Sequence, residues 1–131
     1  MIRSRDGLVQ IFDYEQLMCG IFGVIGTADS EVANRVSRGM YHRGPDDSGI
    51  WIDTTGTPVT LVNTRLAIID LSEAGHMPML SHNSEVAITY NGEVYNFPEI
   101  RSELEKLGYE FVSNSDTEVI LTAYQHWGDD C

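Results

Sequence analysis

Cys19 opens the run Cys19-Gly20-Ile21-Phe22-Gly23. A cysteine attacks a carbonyl carbon as its thiolate, once a base or a positive field has taken the proton. In an apolar strand the same residue can also serve as a small buried hydrophobe. Asn91-Gly92-Glu93 offers a side-chain amide and a free backbone N–H, a donor pair that suits a developing oxyanion; Asn-Gly is equally a strong turn signal. Arg65 lies among apolar and small residues. There it needs an anionic partner, since an unpaired buried charge is costly. A substrate carboxylate held by its two-pronged donor fits, and so does an internal ion pair with Asp70 or Asp116. Asp116 follows Ser115 at a helix start, where an acid favours the dipole and could also receive a substrate ammonium. His42, His76, His82 and His126 have no metal-ligand spacing with one another or with cysteine. A Cys–His dyad stays open, and His42-Arg43-Gly44-Pro45-Asp46 reads as an ordered loop.

The elements that must position these residues are legible from periodicity. The run 19–26 is apolar on both parities, which predicts a strand buried on both faces, and its glycines predict close backbone approach. Val32, Ala33, Val36 and Met40 recur at helical spacing behind Asp29 or Ser30 as cap, with a stop before Gly44-Pro45. Residues 48–53 and 59–70 read as strands joined by the turn residues Thr55-Gly56-Thr57-Pro58. Residues 72–84 read as a loop. Val86, Ile88 and Tyr90 mark a half-buried strand that ends at Asn91-Gly92.

Pro98 to Leu107 predicts a helix with Ile100, Leu104 and Leu107 as its apolar stripe and Gly108 as its stop. Tyr109 to Val112 reads as a short strand. Ser115-Asp116-Thr117-Glu118 reads as a capping box opening a helix lined by Val119, Ile120, Ala123 and Trp127. Strands in succession with helices between them give an α+β class rather than regular βαβ alternation.

Composition narrows the function classes. The 131 residues amount to one domain, 42% hydrophobic and 21% charged. A net charge of -12, from 20 acidic and 8 basic residues, disfavours a nucleic-acid partner held through phosphates. No apolar run approaches the ~20 residues of a membrane span. The two cysteines, Cys19 and Cys131, form no disulfide framework, so a reducing cytoplasm is expected. Residues 1–17 lack the apolar core of a secretory signal and read as a leader outside the fold.

The segments Met18-Cys19-Gly20-Ile21-Phe22-Gly23, His42-Arg43-Gly44-Pro45-Asp46, Arg65-Leu66-Ala67-Ile68-Ile69-Asp70, Tyr90-Asn91-Gly92-Glu93-Val94-Tyr95-Asn96 and Ser115-Asp116-Thr117-Glu118-Val119-Ile120 occur in that order. Together they resemble the glutaminase domain of glutamine-hydrolysing asparagine synthetases, class II glutamine amidotransferases of the N-terminal nucleophile hydrolase superfamily. The resemblance covers residues 18–131. It implies a four-layer sandwich of two antiparallel sheets between helices. It implies that Cys19 attacks the side-chain amide of glutamine and that Asn91 and Gly92 form the oxyanion hole. It implies further that Arg65 holds the substrate α-carboxylate, and that Asp116 with Glu93 receives the α-amino group. Backbone groups of Leu66, Ile68 and Ile69 would complete the pocket.

In that family the nucleophile begins the mature chain, and its own α-amine takes the proton. An α-amine titrates near ~7.7–8.0, well placed for proton transfer at neutral pH. Residues 1–17 conflict with this. The expected resolutions are a true start at Met18, directly before Cys19, or a leader removed as a propeptide; the third reading is a retained leader and an inactive domain.

The chain also reads as a fragment, with its amidotransferase domain, 18–131, incomplete at the C-terminus. The resemblance implies no cofactor in this chain. It assigns ATP, magnesium and aspartate chemistry to a synthetase domain outside it, and it is compatible with a homodimer. The alternatives are an amidotransferase half serving another acceptor, a sugar or a cell-surface precursor, and a non-catalytic glutamine-binding module.

Overall fold

The computed structural model describes residues 2–4, 7–9, 18–67 and 73–131. Ile2–Ser4 (β1) and Gly7–Val9 (β2) pair antiparallel as a sheet of their own. The rest of the expected leader lies outside the described residues, as do Ile68 and Ile69.

The sheet that matters for the site has the order β3–β5–β4, with Gly20–Ile25 as β3, Asp47–Asp53 as β4 and Val59–Arg65 as β5. Both pairings are antiparallel. Gly20 faces Thr64, and Asp47 faces Arg65. This register brings the start of β3, the start of β4 and the end of β5 to one end of the sheet. Central β5 is the most buried strand: Thr60, Val62, Asn63, Thr64 and Arg65 are all buried. The expectation for β3 is corrected, because its side chains alternate between covered and open. Ile21 is 48% and Ile25 76% exposed, since α1 packs on β5 and β4 and leaves that face of β3 open.

Ser30–Met40 (α1) packs on β5 and β4. Asp29 caps it, its carboxylate accepting the N–H groups of Glu31 (2.9 Å) and Val32 (3.0 Å). Close backbone approach appears at Gly20, where an added β-carbon would lie 2.6 Å from Thr64 Oγ1. β5 ends at Arg65, short of the expected Asp70, and the Asp46 carboxylate takes the next free amide, Ala67 N–H, at 2.9 Å.

The expected loop 72–84 contains a 3-10 turn, Glu73–Gly75, and a short strand, Met79–Leu80 (β6). β6 pairs with Ala87–Ile88 (β7), which is all that forms of the strand expected over 86–90. Ser81 N–H closes the turn on Val86 O at 2.9 Å, and at the other end the next residue of the ladder is Pro78, which has no N–H to give.

Phe97–Lys106 (α2) and Asp116–Trp127 (α3) bury Leu104, Val119 and Ala123 against each other, with Phe97, Ile100, Tyr109, Phe111 and Trp127 partly buried around them. Leu107, expected in the stripe, is 52% exposed. The strand expected over 109–112 does not form. Glu118 accepts the N–H groups of Val112 (2.9 Å) and Ser113 (2.7 Å), while Arg101 donates to Ser113 O at 2.7 Å. Side chains thus satisfy the backbone that a ladder would have used. The same contacts correct the capping box: Ser115 Oγ accepts Thr117 N–H at 3.0 Å, but Glu118 reaches back beyond Ser115. The class is α+β, with antiparallel sheets and helices. No described helix is long and apolar enough to cross a membrane.

Candidate active site

A cavity of about 330 Å³ opens at the end of the sheet where β5 stops. Cys19, Arg65 and Leu66 reach it from the sheet, Asn91, Gly92 and Glu93 from the loop before α2, and Asp116 from the first turn of α3. Seven of the nine residues singled out in the sequence therefore line one cavity; Ile68 and Ile69 are the two outside the described residues.

The Cys19 thiol is half-buried, and the Leu66 peptide brackets it. Leu66 N–H donates to Sγ at 3.4 Å, and Sγ lies 3.7 Å from Leu66 O. The one peptide therefore offers the sulfur both a donor and an acceptor. Arg65 is 7% exposed. Its guanidinium crosses the face of Gly75, where an added β-carbon would lie 2.8 Å from Cζ. A side chain there would push the guanidinium aside, and Gly75 lines the cavity too.

Asp116 is 5% exposed. One carboxylate oxygen accepts Val94 N–H at 2.9 Å, so α3 fixes the segment that carries Asn91 and Gly92. A second tie comes from β5, where Asn63 Nδ2 donates to Thr89 Oγ1 at 3.0 Å. Burial, and after it the carboxylates of Asp116 and Glu93, push the Tyr90 phenol above its ordinary value. The cavity thus joins one guanidinium to two carboxylates, a charge pattern matched to a zwitterion.

The His42–Asp46 loop braces this end of the sheet. Gly44 packs on the Arg65 backbone, where a β-carbon would lie 2.5 Å from the carbonyl carbon. Asp46 N–H donates to Arg65 O at 3.1 Å. Arg43 Nε donates to Met18 O at 3.3 Å, directly before the candidate nucleophile. His76 Nδ1 meets Asp47 Oδ2 at 2.8 Å and holds the Gly75 segment to β4.

Sequence reasoning missed Tyr90, Gly75 and Met77 as cavity residues. Gly75 and Met77 sit in a stretch with no period. Tyr90 carried a signal, as the last residue of an alternating strand before Asn91-Gly92.

Residues 18–131 match a family model described as a glutamine amidotransferase domain. Asparagine synthetase (glutamine-hydrolyzing) 1 of Bacillus subtilis (strain 168) is 39% identical over 120 residues, covering 86% of this chain and 18% of that protein. Asparagine synthetase (glutamine-hydrolyzing) 1 of Arabidopsis thaliana is 38% identical over 118 residues, 86% of this chain and 19% of that protein. The asparagine synthetase (glutamine-hydrolyzing) of Sandersonia aurantiaca is 41% identical over 117 residues, 86% and 21%. The chain spans about a fifth of the length of these curated relatives. Since the family model takes in well over half of the sequence, from residue 18 to residue 131, the chain belongs to the glutamine amidotransferase domain family.

Proposed function

We propose that this chain hydrolyses the side-chain amide of glutamine and releases ammonia for a synthetase domain outside it. The single observation behind the reading is that Cys19, Asn91, Gly92, Arg65 and Asp116 line one cavity in a member of the glutamine amidotransferase domain family.

Arg65 takes the α-carboxylate of glutamine and Asp116 with Glu93 takes the α-ammonium. Both ends of a zwitterion are then held, and a plain amide is rejected. Leu66 lies on the cavity, and its backbone serves the carboxylate end together with those of Ile68 and Ile69 in the roles the family resemblance implies. Cys19 gives its proton to a base, and its sulfur bonds to the amide carbon. The Asn91 amide and Gly92 N–H receive the negative oxygen of the tetrahedral adduct, where one such donor is worth roughly 10²–10³ in rate. The C–N bond breaks, and ammonia leaves with the proton returned by the base. Water then cleaves the thioester to glutamate and free thiol.

The base in this reading is the α-amine of Cys19, freed by loss of residues 1–18, and a peptide nitrogen cannot replace it. In this reading the fold of the domain is a four-layer sandwich of two antiparallel sheets between helices. The ammonia acceptor is aspartate activated by ATP and magnesium in the synthetase domain, and the whole protein works in the cytoplasm. The names of the relatives and the matched family support glutamine as the substrate and a synthetase domain as the recipient of the ammonia.

The experiment compares glutamine hydrolysis by a chain beginning at Cys19 with the 131-residue chain. Ammonia release by the shorter form alone, lost in Cys19→Ala, is the expected result. Equal rates in both forms would rule out the amine as base. Glutamine binding with no turnover and no covalent labelling of Cys19 would make the domain a binding module.

A further inference from the structure

We propose that Arg43 is the positioning residue of the nucleophile's own nitrogen: its guanidinium stands beside the Cys19 α-amine and keeps that amine uncharged at neutral pH. The inference rests on the proposed role of the amine as base and adds the group that tunes it.

Arg43 Nε donates to the carbonyl oxygen of Met18 at 3.3 Å. That oxygen is two covalent bonds from the Cys19 nitrogen, so the guanidinium lies at most about 6 Å from it. Loss of Met18 removes the carbonyl and leaves an amine in its place. The corner that carries Arg43 does not depend on Met18. Arg43 N–H bonds to Met40 O at 2.8 Å, and Thr64 Oγ1 of β5 bonds to the same oxygen at 3.1 Å. Gly44, next in the chain, is wedged on the Arg65 backbone.

Among the described residues no carboxylate pairs with Arg43, so its charge is not cancelled at close range. A permanent cation next to an amine disfavours the ammonium form, by on the order of one pH unit at such a separation. The amine is then free to accept the thiol proton near pH 7. The other charged or titratable groups around it are the Cys19 thiol, Arg65, Tyr90, Glu93, Tyr95 and Asp116 on the cavity, and Tyr41, His42 and Asp46 on the Arg43 corner. All of them are common to parent and variant, so a difference between the two reads Arg43 alone.

The test uses the chain beginning at residue 19. In a Cys19→Ser background, which removes the thiol's own titration, NMR follows the N-terminal amine against pH. Arg43→Met should move its midpoint up by about one unit, and Arg43→Lys should restore it. With Cys19 intact, the acid limb of kcat/KM for glutamine should move up by the same amount in Arg43→Met. Arg43→Gln is the second neutral variant should Arg43→Met not fold. An amine midpoint that stays put in a folded neutral variant overturns the proposal. The reading beneath it fails separately, when the chain that retains residues 1–18 hydrolyses glutamine as fast as the shorter one.

Discussion

The Tyr90 hydroxyl stands against the α-carbon of Gly92, so close that a β-carbon added there would lie 2.5 Å from it. The residue assigned to the oxyanion hole is thus glycine for a packing reason as well as a chemical one. The phenol ring occupies the space that a side chain would need.

Gly92→Ala should therefore displace the 91–93 segment and lower kcat for glutamine by roughly 10-fold or more, since misplaced oxyanion donors act on the transition state. Adding Tyr90→Ala should return part of the loss. Steady-state kinetics on the two single variants and the double variant measure the coupling. Strict additivity would show that the ring does not set the position of Gly92.

Arg65→Ala should raise KM for glutamine about 10- to 100-fold with a smaller change in kcat, the weight of one charge-assisted interaction. Gly75→Ala should push in the same direction more mildly, because its β-carbon would intrude on the Arg65 guanidinium. Unchanged glutamine binding in Arg65→Ala would remove the carboxylate assignment.

Stability should fall in alkali through Tyr90. Its phenol is held above its ordinary value of 10.0 by burial first and by Asp116 and Glu93 second. The folded state therefore keeps the proton that the unfolded chain releases, and stability is lost as pH rises from about 10 toward the folded value. Thermal melts between pH 9 and 11 should show a decline that Tyr90→Phe lessens. An equal decline in both proteins would place the loss elsewhere.

Glu118→Ala should cost about 1–3 kcal/mol, because the carboxylate serves Val112 N–H, Ser113 N–H and Ser113 Oγ, the last at 2.5 Å. Urea unfolding should show a lower midpoint at unchanged slope. A midpoint within a few tenths of a molar of the parent would mean that water replaces these bonds without penalty.

The three helices were legible in the sequence because each carries its own signals: Asp29 and Ser115 as caps, Pro98 in a first turn, Gly108 at a stop. The order of motifs fixed the family and seven of the residues on the cavity. Strand extent was not legible in the same way. Apolar content predicts that a segment can pair, yet the partner sets how far it pairs. Residues 109–112 have strand composition but are held as a loop by Glu118 and Arg101, and β3 is open on one face because α1 packs on β4 and β5 instead. The approach of Arg43 to the Met18 carbonyl, of Tyr90 to Gly92 and of Arg65 to Gly75 belongs to tertiary structure alone. Each joins segments whose meeting follows from sheet register and loop packing, and no local residue preference encodes that distance.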